Sequence, residues 1–325
     1  MLKLDKKDLK ILSLLDWNCR MPITQIAKKI QLNKDVIRYR IKHLEKEKII
    51  TGYYSLIDIS KLGYLTFRGY LSFIDVNSET EQKIIDYLDI QFNAGIIFTR
   101  DGKYNLGFIS WEKSIYEFQQ KLTGFKQKFG DYLDELNFTI FTEFNHYSLN
   151  EFNENFSKKI AIKENDLVLL KQDDLNILKE LSNNAKISSV NLSIKLNISQ
   201  TTIIHKIKEL EKKKIILAYR AEIDFSKLGY ENYFLEIYTH NGKDIEKIES
   251  QMKSNKNCIY SVIGIFGADL EIECDFRKKD DLQQFISKLK RDFKAIRKIK
   301  YCSTLKYFKM KYFPILKNSK TQDVL

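Results

Sequence analysis

Proline is almost absent from this 325-residue chain, at 2 residues, and its 12 glycines and 4 cysteines are thinly spread. So little proline argues against stiff linkers and proline-rich recognition tails. Cys19, Cys258, Cys274 and Cys302 lie far apart and match neither a disulfide framework nor a metal site, which fits a reducing compartment. No stretch approaches the roughly 18 apolar residues of a membrane helix. The amino-terminal MLKLDKKDLKILSLL alternates charge with apolar residues and offers no signal segment, so a cytoplasmic protein with no membrane partner is expected. A glycine-rich phosphate loop, a cluster of metal ligands and a nucleophile motif are all missing as well. No catalytic residue, metal or cofactor is therefore expected.

What is present is ample apolar residue, 43%, and abundant charge, 30%, in a chain long enough for several compact domains. The net charge of +12 is unevenly placed. Residues 1–64 carry 14 basic and 7 acidic residues and 167–230 carry 11 and 7, whereas 65–166 carry 11 and 16. Residues 231–325 are again basic, with 19 against 13. Two basic segments flanking an acidic one point to a polyanion partner for particular modules.

An internal repeat explains that spacing. Laid against each other, 4–64 and 170–230 align without a gap, and 25 of 61 pairs are identical. IKHLEKEKIITGYYSLIDISKLGY (41–64) against IKELEKKKIILAYRAEIDFSKLGY (207–230) is the best-matched stretch.

Each copy opens with helical periodicity: Leu4, Leu9, Ile11, Leu12 and Leu15, then Leu170, Leu175, Ile177, Leu178 and Leu181. A short amphipathic run follows (Ile23 to Ile30; Val190 to Leu196), then a tight polar connection, then a third helix over about Lys34–Lys46. Ile37, Ile41 and Leu44 face inward in that helix, as do Ile203, Ile207 and Leu210 in the second copy. Asn33 and Ser199 are suited to cap the third helices. This is a helix-turn-helix. IITGYYSLIDI and IILAYRAEIDF then switch to period two and are expected to fold as a wing hairpin.

After each copy comes a different order: strand, helix, strand, strand, helix, strand, over 66–144 and again over 233–308. The expected fold class is α+β, two tandem units, each a winged helix-turn-helix followed by a βαββαβ ferredoxin-like domain. The expected domains are 1–64, 65–145, a linker at 146–165, 166–230, 231–314 and a carboxy-terminal tail at 315–325.

With VIRYRIKHLEKEKIITGYYSLIDISKLGY leading into a βαββαβ segment with a turn of Gly102, Tyr104, Asn105 and Leu106, the chain resembles the Lrp/AsnC family of regulators, twice over. The resemblance implies DNA binding by the third helix and dimerisation, often with amino-acid sensing, by the α+β domain. The departures are Lys206 in place of an arginine, Ala218 in place of a glycine, and Phe266 where the first unit has Gly102. The tandem arrangement itself departs from one unit per chain.

The expected DNA contacts in the first copy are Asn33, Lys34, Asp35, Arg38, Tyr39, Arg40 and Lys42. In the second they are Ser199, Gln200, Thr201, Ile204, His205, Lys206 and Lys208. Arg and Lys donate to guanine edges in the major groove, Tyr39 and the helix amino terminus to phosphates, and Ile204 meets either a thymine methyl or a neighbouring domain. Since the two faces share only a lysine, the halves are expected to prefer different half-sites. Double-stranded DNA is the expected partner. Pairing of the ferredoxin-like domains leaves two arrangements open, an internal pseudo-dimer or a homodimer. By resemblance, a small-molecule effector would sit near Gly102, Tyr104, Gly264 and Gly267. Two alternatives remain: an architectural, nucleoid-like DNA-binding protein, and an enzyme like the siroheme decarboxylases, which also resemble this family. Of His43, His146, His205 and His240, only His240 is positioned for such chemistry in this reading, because His146 falls in the expected linker.

Overall fold

The computed structural model describes residues 4–149, 152, 158–163, 166–242 and 244–314. The expected tail, 315–325, and parts of the expected linker lie outside them.

The first three helices are α1 (Lys6–Asn18), α2 (Ile23–Ile30) and α3 (Lys34–Lys46). Asp5 and Asp8 form a reciprocal capping box at the start of α1, and the Asn33 side chain accepts from the Asp35 amide at the start of α3. Gln31 turns the chain between α2 and α3 in left-handed backbone. The second copy repeats this with α6 (Gln172–Asn183), α7 (Ser189–Leu196) and α8 (Gln200–Lys212), where Asn197 makes the left-handed turn.

The period-two segments form one strand each, β1 (Ile50–Ile57) and β7 (Ile216–Ile223), and these pair antiparallel with each other. This corrects the expected wing: the strand finds its partner in the other copy. A 3-10 turn over Ser60–Leu62 and left-handed Gly63 carry the chain on into a different sheet, and Gly229 does the same in the second copy.

The α+β segments give β2 (Leu65–Phe73), α4 (Ser78–Ile90), β3 (Ile96–Asp101), β4 (Leu106–Glu112), α5 (Ile115–Phe129) and β5 (Leu133–Tyr147). The second copy gives β8 (Glu231–Thr239), α9 (Ile245–Met252), β9 (Cys258–Ile265), β10 (Leu270–Phe276), α10 (Lys279–Asp292) and β11 (Ile296–Met310). Within each copy the last strand lies beside the first and the third lies on its other side, the ferredoxin-like order. The two sheets then join twice, β5 to β9 and β11 to β3, so that eight strands close into an antiparallel ring. Closure leaves no unpaired edge among those eight strands. The expected linker contributes a strand of its own, β6 (Lys159–Lys163), laid on β5 from Glu143 to Tyr147.

Reciprocal bonds reveal a pseudo-twofold axis. The Cys19 amide donates to the Tyr219 carbonyl and the Ala185 amide to that of Tyr53. Asp58 donates to Ile215 and Asp224 to Ile49. Lys61 reaches the Lys213 carbonyl and Lys227 that of Glu47. In each pair the second bond is the first with the copies exchanged, the signature of an isologous interface. One apolar core, including Ile11, Leu15, Ile37, Ile177, Leu181 and Ile203, runs through both helix-turn-helix units. Separate cores lie under α4/α5 and under α9/α10. The third helices α3 and α8 are thus held in one body and not on independent arms.

Candidate nucleic-acid interface and ligand cavity

The outer face of α3 is built as its periodicity requires. Ile37, Ile41 and Leu44 are buried, which turns Lys34, Asp35, Arg38, Tyr39 and Lys42 to solvent, with Asn33 at the cap. Arg38 is held by Asp35 at 2.5 Å, one turn toward the amino terminus, and Tyr39 stacks parallel to His43 at 6.3 Å. Val36, 40% exposed, belongs to this surface and is not among the expected contacts. Its exposure follows from the same wheel, but an apolar residue carries no charge signal.

On α8, Thr201, His205 and Lys208 are exposed and Ile204 is 39% exposed. Ser199 caps Thr202 through its amide and hydroxyl, and Gln200 reaches the Ser189 hydroxyl at 3.0 Å. Ile204 and Lys208 also border a cleft of about 770 Å³ against the first unit, whose opposite wall includes Arg20, Met21, Pro22 and Ile23. Of the two explanations for Ile204, the neighbouring unit is the one the structure brings near.

Two expected contacts point elsewhere. Arg40 turns back to α1 and pairs with Asp8 at 2.7 Å and Asp5 at 2.8 Å. Lys206, its equivalent, pairs with Asp174 at 2.8 Å at the start of α6. Both join the third helix to the acidic first turn of the first, where the helix dipole already favours carboxylates. They tie the third helix to the first, and the correction applies to both copies.

Between the two ferredoxin-like halves lies a cavity of about 400 Å³. Lys103 and Tyr104 from the first β-turn, Phe266 and Gly267 from the second, Glu135 to Thr139 of β5, and Glu236, Tyr238 and Lys300 of the second half line it. Of the expected effector residues it therefore brings together Tyr104 and Gly267, but not Gly102 or Gly264. Gly102 sits in left-handed backbone against Cys302, and a side chain at position 264 would strike the Ile140 carbonyl at 2.5 Å. These two glycines serve chain packing. The cavity is electrostatically mixed: Lys103 pairs with Glu135 at 2.5 Å and Lys300 with Glu236 at 3.8 Å. Burial and the neighbouring Glu236 push the Tyr104 hydroxyl up. Phe266 is 73% exposed and holds a backbone φ of +71°, which is strained for a bulky residue.

A third cluster is buried. Arg220 on β7 donates to Asp16 Oδ1 at 2.6 Å and lies 3.1 Å from His146 Nδ1. Burial and the adjacent cation hold His146 well below the usual imidazole range, so it is neutral. His146 thus sits at the end of the pairing between β5 and β9 and not in the expected linker. No sequence signal marks it, because its arginine lies 74 residues away.

Among the described residues no group of acidic, histidine or cysteine side chains is placed to hold a metal ion, and no helix is long and apolar enough to cross a membrane. A profile of the family described as winged helix-turn-helix DNA-binding matches residues 4–51 and 174–216, one site in each copy. The chain is similar to the HTH-type transcriptional regulator LrpA of Pyrococcus abyssi, 41% identical over 111 residues, 34% of this chain and 76% of that protein. LrpA of Pyrococcus horikoshii is 32% identical over 111 residues, 31% of this chain and 79% of that protein. Over nearly the whole chain, 95%, the fold resembles the crystal structure of the siroheme decarboxylase NirDL, with a TM-score of 0.63, 13% identity and 94% of that chain covered. That likeness is one of fold alone. The duplicated helix-turn-helix, the ferredoxin-like halves and the match to LrpA together place the chain in the Lrp/AsnC family of DNA-binding transcriptional regulators.

Proposed function

We propose that this protein is a sequence-specific regulator that reads an asymmetric DNA site with one helix on each half and answers to a small ligand in the cavity between the sensor halves. The observation that carries this reading is a pair of unlike reading faces on one pseudo-symmetric frame. Between equivalent positions of the two copies, Lys34 becomes Gln200, Asp35 becomes Thr201, Arg38 becomes Ile204 and Tyr39 becomes His205, while Lys42 is kept as Lys208. A true homodimer presents the same face twice and reads a palindrome; two different faces favour two different half-sites, about 34 Å apart along the duplex. The test is selection of bound sequences from a random pool at near-physiological salt. Arg38→Ala/Lys42→Ala should lose one half of the enriched motif and His205→Ala/Lys208→Ala the other. An architectural protein would bind with no enrichment and lose affinity for all sequences together as salt rises, and that result would replace this reading.

For the effector, the balance of two lysines, two glutamates and tyrosine hydroxyls suits a small zwitterion, and a strained Phe266 at the rim is the kind of feature found at ligand clamps. The probes are the standard amino acids, and the readouts are the melting temperature and the affinity for the selected DNA. One or a few should shift both, and Lys103→Ala together with Lys300→Ala should abolish the shift. If none moves either quantity, the sensing role is lost while the DNA-binding role stands. We read the chain as a regulator and not an enzyme. Its similar curated relatives named above are transcriptional regulators, and His146 and Arg220 are sealed at 2% and 1% exposure.

A further inference from the structure

In a symmetric dimer any side chain on the twofold axis faces its own copy, so a buried charge there meets a like charge. Two such axial positions lie among the described residues, and each is split. In the β1–β7 sheet Tyr54 stands directly opposite Arg220, its own equivalent. In the strand ring the Arg68 guanidinium lies 5.2 Å from the ring of Phe234, again its own equivalent. Each pair holds one buried arginine and one aromatic ring in place of two arginines.

The counter-charges are divided in the same way. Arg68 pairs with Glu271 at 3.0 Å and Glu273 at 3.6 Å, and Arg100 approaches Glu273 at 3.9 Å. Thr139 of the first half also donates to Glu271, at 2.7 Å. Strand register identifies the equivalents: Glu271 and Glu273 face Glu236 and Phe234, as Gly107 and Ile109 face Tyr70 and Arg68. The first half therefore supplies two arginines and neither glutamate to this interior, and the second half the reverse. At the other axial position Arg220 belongs to the second half and its carboxylate, Asp16, to the first, where the second copy has Ser182. Arg68, Glu271, Arg220 and Asp16 are all under 5% exposed, so none is served by bulk water.

We propose that Arg68, Arg100, Glu271, Glu273, Asp16 and Arg220 form a mating code by which each half accepts only the unlike half. Two first halves would bury four arginines around one axis with no glutamate from β10. Two second halves would bury four glutamates and set Arg220 against itself without Asp16. Buried charge without a partner is strongly destabilising, so like halves are excluded by the same residues that hold unlike halves together. The partner chemistry of each half is thus supplied by the other half of this chain. Fusion of the two copies makes that pairing intramolecular, and it makes one chain the reading unit.

The test uses full-length chains bearing two different tags. One carries Arg68→Glu with Arg100→Glu, and the other Glu271→Arg with Glu273→Arg. Alone, each should lose the sharp thermal transition and monomeric mass of the unmodified chain. Co-expressed, they should rescue one another as a 1:1 complex, because crossing the halves joins the unmodified pair at one interface and a charge-reversed but still opposite pair at the other. Destabilisation that came from altered side-chain volume and not from charge would show no such rescue. In a second arm, Arg68→Glu with Glu271→Arg in one chain should recover at least half of the melting-temperature loss caused by Arg68→Glu alone. Failure of both rescues would overturn the proposal, as would variants that melt and elute like the unmodified chain.

Discussion

The two helix-turn-helix units share a skeleton and differ in skin. Ile37, Ile41 and Leu44 recur as Ile203, Ile207 and Leu210, all buried, and the brace from the third helix to the first recurs as Arg40 to Asp8 and Lys206 to Asp174. Tyr53 donates to Glu45 at 2.5 Å and Tyr219 to Glu211 at the same distance. On the outside the copies part company. Thr24, Lys28 and Arg38 become Val190, Ile194 and Ile204, the last three 48%, 76% and 39% exposed. Packing constrains the inner positions to near-identity, whereas the outer ones answer only to what they touch. A duplicated regulator can therefore change what one head reads without disturbing how either head folds.

The largest expected effect comes from breaking the frame between the copies. Asp16→Ala removes the carboxylate of the buried Arg220, and chemical denaturation should show a loss of about 3–5 kcal/mol. Ser182→Ala, at the equivalent place in the second copy, should cost far less, because no arginine depends on it. A loss of equal size at both positions would mean that the axis is not split as described.

Next is a pH dependence confined to one half. Burial pushes the Asp275 carboxyl up to about 7, while its equivalent by strand register is Trp111, which cannot titrate. Folded Asp275 keeps its proton in a range where the unfolded chain, near 3.8, has released it. The folded state then binds the proton more tightly, so stability falls as pH rises from about 4 to about 7 and the penalty is complete above that. Asp275→Asn should raise stability by roughly 4 kcal/mol at pH 8 and leave it nearly unchanged near pH 4. Equal stabilisation at both values would remove the titration from the account.

Smaller effects bear on the reading faces. Arg38→Ala should weaken binding to the selected site about tenfold, the order of one good base or phosphate contact. Ile204→Arg, which gives the second head the residue of the first, should tighten binding a few-fold on DNA of any sequence and steepen the salt dependence by about one. If Ile204→Arg leaves the salt slope unchanged, α8 does not approach the phosphates at that position.

Much of the fold is legible in the sequence because its signals are local. Helices α2 and α3 fall where the spacing of isoleucines and the polar connection at Gln31–Asn33 put them, and the strand order of both ferredoxin-like segments follows from periodicity and turn residues. The wing fails for the opposite reason. Alternation in IITGYYSLIDI shows that a strand forms, but its partner is the matching strand of the other copy, and nothing within the segment names a partner. A helical wheel sets Arg40 at the margin of the exposed face, which makes it a plausible DNA contact; only the arrival of α1 decides that it turns inward. The pattern around His146 fades into an expected linker, although β5 runs on past it to Tyr147.

By itself, then, the sequence determined that the chain is two copies of one plan, where the helices and strands of each copy lie, and that the outer faces of the two third helices differ. Those features rest on side-chain periodicity and on comparison of the chain with itself. Only the tertiary structure decided which strands meet, which of the charged residues face solvent and which are buried in pairs, and that the turns of the two ferredoxin-like halves share one cavity. Each of those depends on contacts between residues far apart in the chain, and burial changes the energy of a charge far more than any neighbour in sequence can.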